Sequence, residues 1–518
     1  MKKIFTLLLV ITCFKTVGAQ VPTWSDTIAN ILYTNCTSCH HPGGIAPFSL
    51  MTYTDAVTYS PGIQTAVTSH LMPPWKPDPN YRHFKGERKL SQDEINKIND
   101  WINNGTPSGN LGNAPAPPVY TTGSQMPVID QTLQIPTFTV TQTVDQYRSF
   151  VIHSGNTVGK YLNKVEFLPG NNSIVHHILL YYDPSAVSFN LDQADPLPGF
   201  ASNGTMPLSP NAVTIGAWAP GAGIYELPPN FGHLVPANAD YVIEVHYAPG
   251  SNGQSDSTQV NLKFTTVPGV RQVYVEPVLE YFTGMIDGPL FIPANTVQTF
   301  HEQFYNSFGN ISLFSVFPHM HKIGVSFKSR ATKLLDTIPL IYIPQWDFHW
   351  QGFYQYQKVI KLPSQYTIWA EATYDNTGGN PNNPSNPPVD VSAGEQTTDE
   401  MMIGFFAFAF YQPGDENIIL DSSIISGIDD PQMQQLLFTL SPNPANDNVE
   451  INYVMKQNAD ATIEVYDLQG KLQQSVKTKS AAGYNNYQLN TMLLTDGIYV
   501  VKLLSSQKTY TQKLLVQH

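Results

Sequence analysis

The residues of this chain whose types and spacing could do redox chemistry are a cysteine pair near the start and a series of histidines further on. Cys36-Thr37-Ser38-Cys39-His40 is a C-x-x-C-H run. Two thiols so spaced can add to the vinyl groups of a haem while the next imidazole takes its iron. A zinc site would need a second cysteine or histidine pair at finger spacing, and none follows. A C-x-x-C of the oxidoreductase kind would open a helix after a strand, which this helix-patterned segment does not resemble. The reading is one covalently bound haem c, with a plain disulfide as the alternative. Met72, in HLMPPWKPDP, is the expected second axial ligand, because the prolines that follow hold the thioether extended; His70 and His83 are the alternatives.

Four further clusters follow: His176-His177 in IVHHILLYY, His246 in VIEVHYAPG, His319 and His321 in VFPHMHKIG, and Met401 in TTDEMMIGFF. His319 and His321 at i and i+2 leave the same face of a strand and can share one metal. Adjacent His176 and His177 point oppositely on a regular strand, so sharing a metal requires a bulge or different ring nitrogens. Taken singly, each cluster also reads as a hydrogen-bonded core histidine.

The order of the clusters, with AWAPG before the second and YDNTGGNPNNP before the fourth, resembles the type II copper, ascorbate-dependent monooxygenases. That is the family of peptidylglycine alpha-hydroxylating and dopamine beta-monooxygenases, and the resemblance spans about 140 to 412. It implies two eight-stranded jelly rolls, each holding one copper across an open, solvent-filled cleft. It further implies that His176, His177 and His246 bind an electron-transfer copper, and that His319, His321 and Met401 bind the oxygen-binding, catalytic copper. Ligand chemistry agrees, since three imidazoles suit a cycling copper and two imidazoles with a thioether favour the cuprous state. Asp399 and Glu400 read as supporting or turn residues. The resemblance has departures. Phe317 stands where the peptide-amidating enzyme has a substrate-anchoring arginine, Ile403 and Phe405 replace its assisting Asn and Tyr, and Glu244 replaces a glutamine. A buried substrate carboxylate would be unpaired here, so a less polar or aromatic small molecule is expected and a glycine-extended peptide is not.

These residues need elements to hold them. The N-terminus MKKIFTLLLVITCFKTVGAQ reads as a signal peptide over 1–19, its apolar run too short to span a bilayer. Capped helical patterns place a small α-helical, cytochrome c-like domain at 20–110, and a Pro/Gly-rich linker covers 111–139. Short β-branched and aromatic runs broken by turns predict two tandem sandwiches, at 140–267 and 268–412, with the break at Val267-Pro268-Gly269. A linker at 413–435 leads to a small Ig-like sandwich at 436–518. Its SPNP opening, IEVYDLQGK centre and QKLLV end resemble the C-terminal sorting domain of the type IX secretion system, which implies handling by that machinery. The fold class is therefore mainly β. With 41 Pro, 27 Tyr and only 13% charged residues, composition agrees, and a net charge of −13 excludes nucleic acid as a partner.

The combined expectation is an exported copper monooxygenase with two copper ions. Its partners would be a small substrate, dioxygen, and an electron donor that is either an external carrier or a small reductant. Electrons would pass through the fused haem. The alternative is a surface electron-transfer or copper-binding protein without monooxygenase activity.

Overall fold

A computed structural model describes residues 21–120, 123–202, 209–348, 350–421, 438–455, 459–481, 483–505 and 509–518. The expected signal peptide and most of the expected linker at 413–435 lie outside them. The chain forms two compact units, one running up to Pro74 and including Arg88–Tyr120, the other comprising Trp75–Glu87 and Thr121–His518.

The first unit is helical. Helices α1 (Ala29–Asn35), α2 (Tyr53–Thr58), α3 (Ser60–Thr68) and α4 (Gln92–Asn103) pack on a core that includes Trp24, Leu32 and Trp101. The reciprocal caps Thr52/Asp55 and Ser91/Glu94 start α2 and α4 by satisfying otherwise orphaned N–H groups. Helix α4 buries Ile95, Ile98 and Trp101, one turn apart, on that core.

In the second unit two sandwiches share one strand order. The first has β1 (Gln131–Gln134), β2 (Gln146–His153), β3 (Lys160–Leu168), β4 (Val175–Asp183), β5 (Val213–Trp218), β6 (Phe231–Val235), β7 (Asp240–Tyr247) and β8 (Gln259–Thr265). The second has β9 (Tyr274–Glu280), β10 (Val297–Tyr305), β11 (Ile311–His319), β12 (Gly324–Lys333), β13 (Asp336–Ile343), β14 (Tyr354–Leu362), β15 (Thr367–Asp375) and β16 (Ile403–Phe410). Sheets β1-β8-β3-β6 and β2-β7-β4-β5 form the first; β9-β16-β11-β14 and β10-β15-β12-β13 form the second. Both follow the order 1-8-3-6 over 2-7-4-5, two Greek keys that make a jelly roll. Short edge strands extend the first.

Strand β15 alternates buried and half-buried positions, as a strand with one covered face must. Strands β7 and β11 are buried at every position, so both of their faces are covered. A single hydrophobic core runs through the two sandwiches, with Phe231 of the first meeting Phe314 of the second at 4.9 Å between ring centres. The break between them falls later than the turn at 267–269 suggested, because Arg271 and Gln272 still pair with Phe231 and Gly232 of β6. The tail from Phe438 has its own core and two small antiparallel sheets.

One sequence expectation is corrected here. Residues 75–87, expected inside the helical domain, form a strap on the second sandwich. Asp78 N–H donates to the Tyr342 carbonyl at 2.8 Å, Lys85 N–H donates to that of Gln355 at 2.7 Å, and Lys76 pairs with Asp347 at 3.0 Å. Phe84 is fully buried, stacked on Tyr356 at 5.3 Å and tilted against Tyr354 at 5.6 Å. Tryptophan, tyrosine and phenylalanine anchors spaced along a proline-rich stretch carry no helical or strand period, so periodicity could not assign the strap to either unit. Phe84→Ala should cost about 3–5 kcal/mol of β-unit stability, measured as a lowered urea midpoint of the purified chain; a loss under about 1 kcal/mol would mean the strap is only laid on the surface.

Candidate metal centres

The first histidine cluster lies on two adjacent strands. His246 on β7 is paired with His177 on β4, and the ladder slips between His246 and Tyr247, which pairs with Val175. His176 is the residue left over, so the bulge that adjacent histidines need is present. It turns both imidazoles to one side. The Nδ1 atoms of His176 and His177 are 3.4 Å apart and those of His177 and His246 are 3.2 Å apart. All three residues offer ligand atoms within 4.8 Å of one another. The Nε2–H of His246 donates to Asp145 Oδ1 at 2.8 Å, which leaves Nδ1 as its ligand atom, and Tyr147 stacks on the ring at 4.2 Å. The other oxygen of Asp145 is 3.8 Å from Lys322, the neighbour of His321, so one carboxylate touches both sandwiches.

The second cluster is built differently. His319 ends β11 and His321 follows it, with ring centres 5.2 Å apart and planes at 87°. His319 Nδ1–H donates to Gln351 Oε1 at 2.6 Å and His321 Nδ1–H to the Asp399 carbonyl at 3.0 Å. Both Nε2 atoms are buried without a hydrogen-bond partner among the described residues. His233 makes the contrast: equally buried, it uses both nitrogens, one with Tyr225 and one with the Val273 carbonyl, as a structural core histidine does. Two imidazoles with tied-back Nδ1 protons and bare Nε2 lone pairs are the arrangement of metal ligands. Burial is the main cause holding His319 near a pKa of about 3 and His321 near about 4, so both are neutral at ordinary pH.

Met401 is buried two residues before β16, whose first residue Ile403 pairs with His319, and its carbonyl accepts from the Tyr374 hydroxyl at 2.8 Å; it does not line the small pocket shared by His177 and His319. Glu400, fully buried, accepts from the N–H groups of His321 at 2.8 Å and Ile323 at 2.9 Å. It shapes the H-x-H turn, while the Asp399 carbonyl holds the His321 ring. Glu244 is buried two residues before His246, with one oxygen 3.3 Å from Ser149 and burial raising it to about 7.

The two clusters are close. His177 and His319 line one small pocket, with Leu179, Ala217, Trp218, Phe317 and Gln351 completing its wall. The open, solvent-filled cleft implied by the family resemblance is replaced here by a narrow gap. Phe317 stacks on Phe405 at 5.7 Å and Phe353 at 6.0 Å, so the place of an anchoring cation is filled by aromatic rings.

In the helical unit, His40 N–H donates to the Cys36 carbonyl at 3.0 Å, a single turn that puts the cysteines and His40 together. The thiols are not bonded to each other. Desolvation, with Cys39 adding to it, pushes the Cys36 thiol up to about 12, unlike a redox-active thiolate. His40 Nδ1 lies 3.1 Å from the Phe48 carbonyl, which leaves Nε2 as the ring nitrogen that could hold an iron. Met72 is 45% exposed just after α3, in the same unit as His40. His83 belongs to the strap of the other unit and pairs with Glu87 at 3.0 Å. His41 stacks on Tyr120 at 4.1 Å and is accounted for by packing.

Asp145, Tyr147 and Gln351 escaped sequence reading. A lone Asp or Gln in a loop has no period, and its histidine lies 101 or 32 residues away.

Residues 439–517 match the secretion system C-terminal sorting domain. The tail marks the chain for type IX secretion to the cell exterior or surface. Among the described residues no helix is long and apolar enough to cross a membrane. No curated protein matches the chain. Among solved structures it is similar to a Parabacteroides merdae β-glucuronidase, at 9% identity over 43% of this chain and 28% of that one, with a TM-score of 0.13. PNGase F, a glycosylasparaginase from Flavobacterium meningosepticum, shares 10% identity over 55% and 97%, TM-score 0.23. Dimeric latent PorU from Porphyromonas gingivalis shares 11% over 72% and 34%, TM-score 0.14. The chain thus spans about a third or less of the β-glucuronidase and PorU lengths, and likenesses at these scores carry no argument about its activity.

The buried neutral pair sets a pH dependence. Unfolded histidines take up protons below about pH 6.5, whereas His319 and His321 do so only near 3 and 4. The unfolded state therefore binds more protons across that window, and metal-free stability falls as pH drops through it, by up to about 1.4 kcal/mol per pH unit for each histidine. Urea midpoints at pH 7 and pH 5 should differ less in His319→Asn/His321→Asn than in the parent; equal differences would show that the imidazoles are not held neutral.

Proposed function

We propose that the chain is an exported copper-dependent monooxygenase that hydroxylates a C–H bond of a small organic substrate, fed by a haem tethered at Cys36 and Cys39. The balance is RH + dioxygen + two electrons + two protons → ROH + water. The observation that carries this reading is the pairing of two unlike histidine clusters, one converging through Nδ1 and one presenting bare Nε2 atoms, whose members His177 and His319 line the same pocket. His176, His177 and His246 would hold one copper and His319, His321 and Met401 the other. When bound there, copper supplies one-electron storage at the first site and dioxygen binding at the second.

The chain's own residues do the rest. Asp145, Gln351 and the Asp399 carbonyl hold the ring protons that fix the tautomers of His246, His319 and His321. Phe317, Phe353 and Phe405 exclude water and leave a carboxylate substrate without a charge partner, which favours an apolar or aromatic one.

Metal analysis of the copper-replete mature chain tests this. Two coppers and one covalent haem per chain are expected, falling to one copper in His246→Ala and in His319→Ala. Fewer than two in the parent overturns the proposal. Two coppers without dioxygen uptake by the reduced protein, across a panel of aromatic substrates, would leave a surface electron-transfer protein instead.

A further inference from the structure

The small pocket that His177 and His319 share measures about 10 Å³, at the lower limit for a single water molecule. No organic substrate fits there. Met401 instead lines a different cavity, of about 960 Å³, within the range of small-molecule sites. Its wall comes from β9, the end of β10, the start of β11 and both ends of β16.

The interior of this cavity is apolar. Val278, Phe304, Ile311, Ile403 and Phe408 line it together with Met401. At its mouth Phe282 is 78% and Phe308 65% exposed, large aromatic rings left in water beside the hollow. An apolar occupant would recover the free energy that such exposure costs.

The polar groups of the wall do not call for a charged partner. Glu280 accepts from the Phe282 N–H at 3.1 Å and from the Thr283 hydroxyl. Asn306 donates to the carbonyls of Gly309 at 2.9 Å and Pro363 at 3.1 Å, and its Oδ1 accepts from the Phe308 N–H at 3.2 Å. Glu276 and Glu395 are exposed, so their carboxylates belong to the rim. Among the described residues no Lys, Arg or His lines the cavity, so an anion would lose water and meet only carboxylates. Tyr274 and Tyr281 add phenol groups, which donate or accept hydrogen bonds without charge.

We infer that this cavity is a binding chamber for a neutral, lipophilic aromatic molecule, and that a substrate reaches the second centre from the Met401 side and not through the gap between the histidine clusters. The first half stands on the cavity alone. The second half rests on the function proposed above. It departs from the open cleft that the family resemblance implies, because the space between the clusters is closed here.

Fluorescence titration of the metal-free full chain tests the chamber, with 1-naphthalenemethanol as the neutral probe, 1-naphthoate as the anion and 1-naphthylmethylammonium as the cation. The neutral probe should bind about tenfold more tightly than the anion, and the cation no more tightly than the neutral probe. Val278→Trp, which fills the cavity, should weaken the neutral probe about tenfold. Phe282→Ala, at an exposed position, should weaken it several-fold without loss of fold, and Ala217→Leu, which fills the gap between the clusters, should leave it unchanged. Tighter binding of either ion, or weakening by Ala217→Leu with none by Val278→Trp, would overturn the inference. So would absence of all binding, as when another segment of the chain fills the cavity. In the copper-loaded chain, any aromatic compound that elicits dioxygen uptake should lose that effect in Val278→Trp with both coppers retained; uptake that persists overturns the Met401-side route. Because probe binding requires no metal, its failure is distinguishable from a failed copper count.

Discussion

Two buried imidazole lone pairs with nothing to accept among the described residues set the terms for the second sandwich. Leaving a buried acceptor unsatisfied costs about 1–3 kcal/mol, and His319 and His321 each carry one, side by side. The surrounding structure nonetheless enforces this arrangement. Gln351 is hydrogen-bonded at both ends, accepting from His319 and donating to the Phe348 carbonyl at 2.9 Å, so it cannot turn to release the ring. His321 is fixed at its backbone by Glu400 and at its ring by the Asp399 carbonyl. These contacts hold both Nε2 atoms side by side without a hydrogen-bond partner among the described residues.

The first sandwich meets the same need by other means. There the bulge at His176 brings three Nδ1 atoms to contact distance, and Asp145 takes the one proton that could misdirect His246. The clusters sit on the sheet containing β4 and β7 in one sandwich and on the sheet containing β11 in the other. Because both jelly rolls have the same strand order, these are different sheets of the repeat, and each puts one histidine, His177 or His319, on the shared pocket. Strands β7 and β11 are consequently buried on both faces.

Sequence alone carried the chemistry-bearing residue types further than their surroundings. The H-H and H-x-H spacings, with the requirement for a bulge at the first, were legible because side-chain direction on a strand has a fixed period. The double jelly roll entered through family resemblance, while the turn-rich β pattern supported only sandwiches in tandem. The narrow gap was illegible. Its width depends on how two sheets settle face to face, and Phe317 reads the same in an open cleft as in a closed wall. The boundary near Val267 missed by a few residues because the two-residue pairing at Arg271 leaves no pattern in the sequence.

The strap shows why domain limits drawn by composition can mislead about function. Lys76 reaches Asp347 and Trp75 meets Tyr354 edge-on at 5.7 Å, so the strap grips both ends of the segment that carries Phe348 and Gln351. Gln351 is the residue that holds the His319 ring. A segment bounded on both sides by the unit bearing the C-x-x-C-H motif thus steadies the loop that orients a candidate copper ligand. The surface ion pair alone would contribute little, about 0–1 kcal/mol. Anchored by the fully buried Phe84 and by backbone hydrogen bonds at Asp78 and Lys85, the strap is held whether or not that pair forms, and the orientation of His319 inherits the stability of the strap rather than that of an exposed loop.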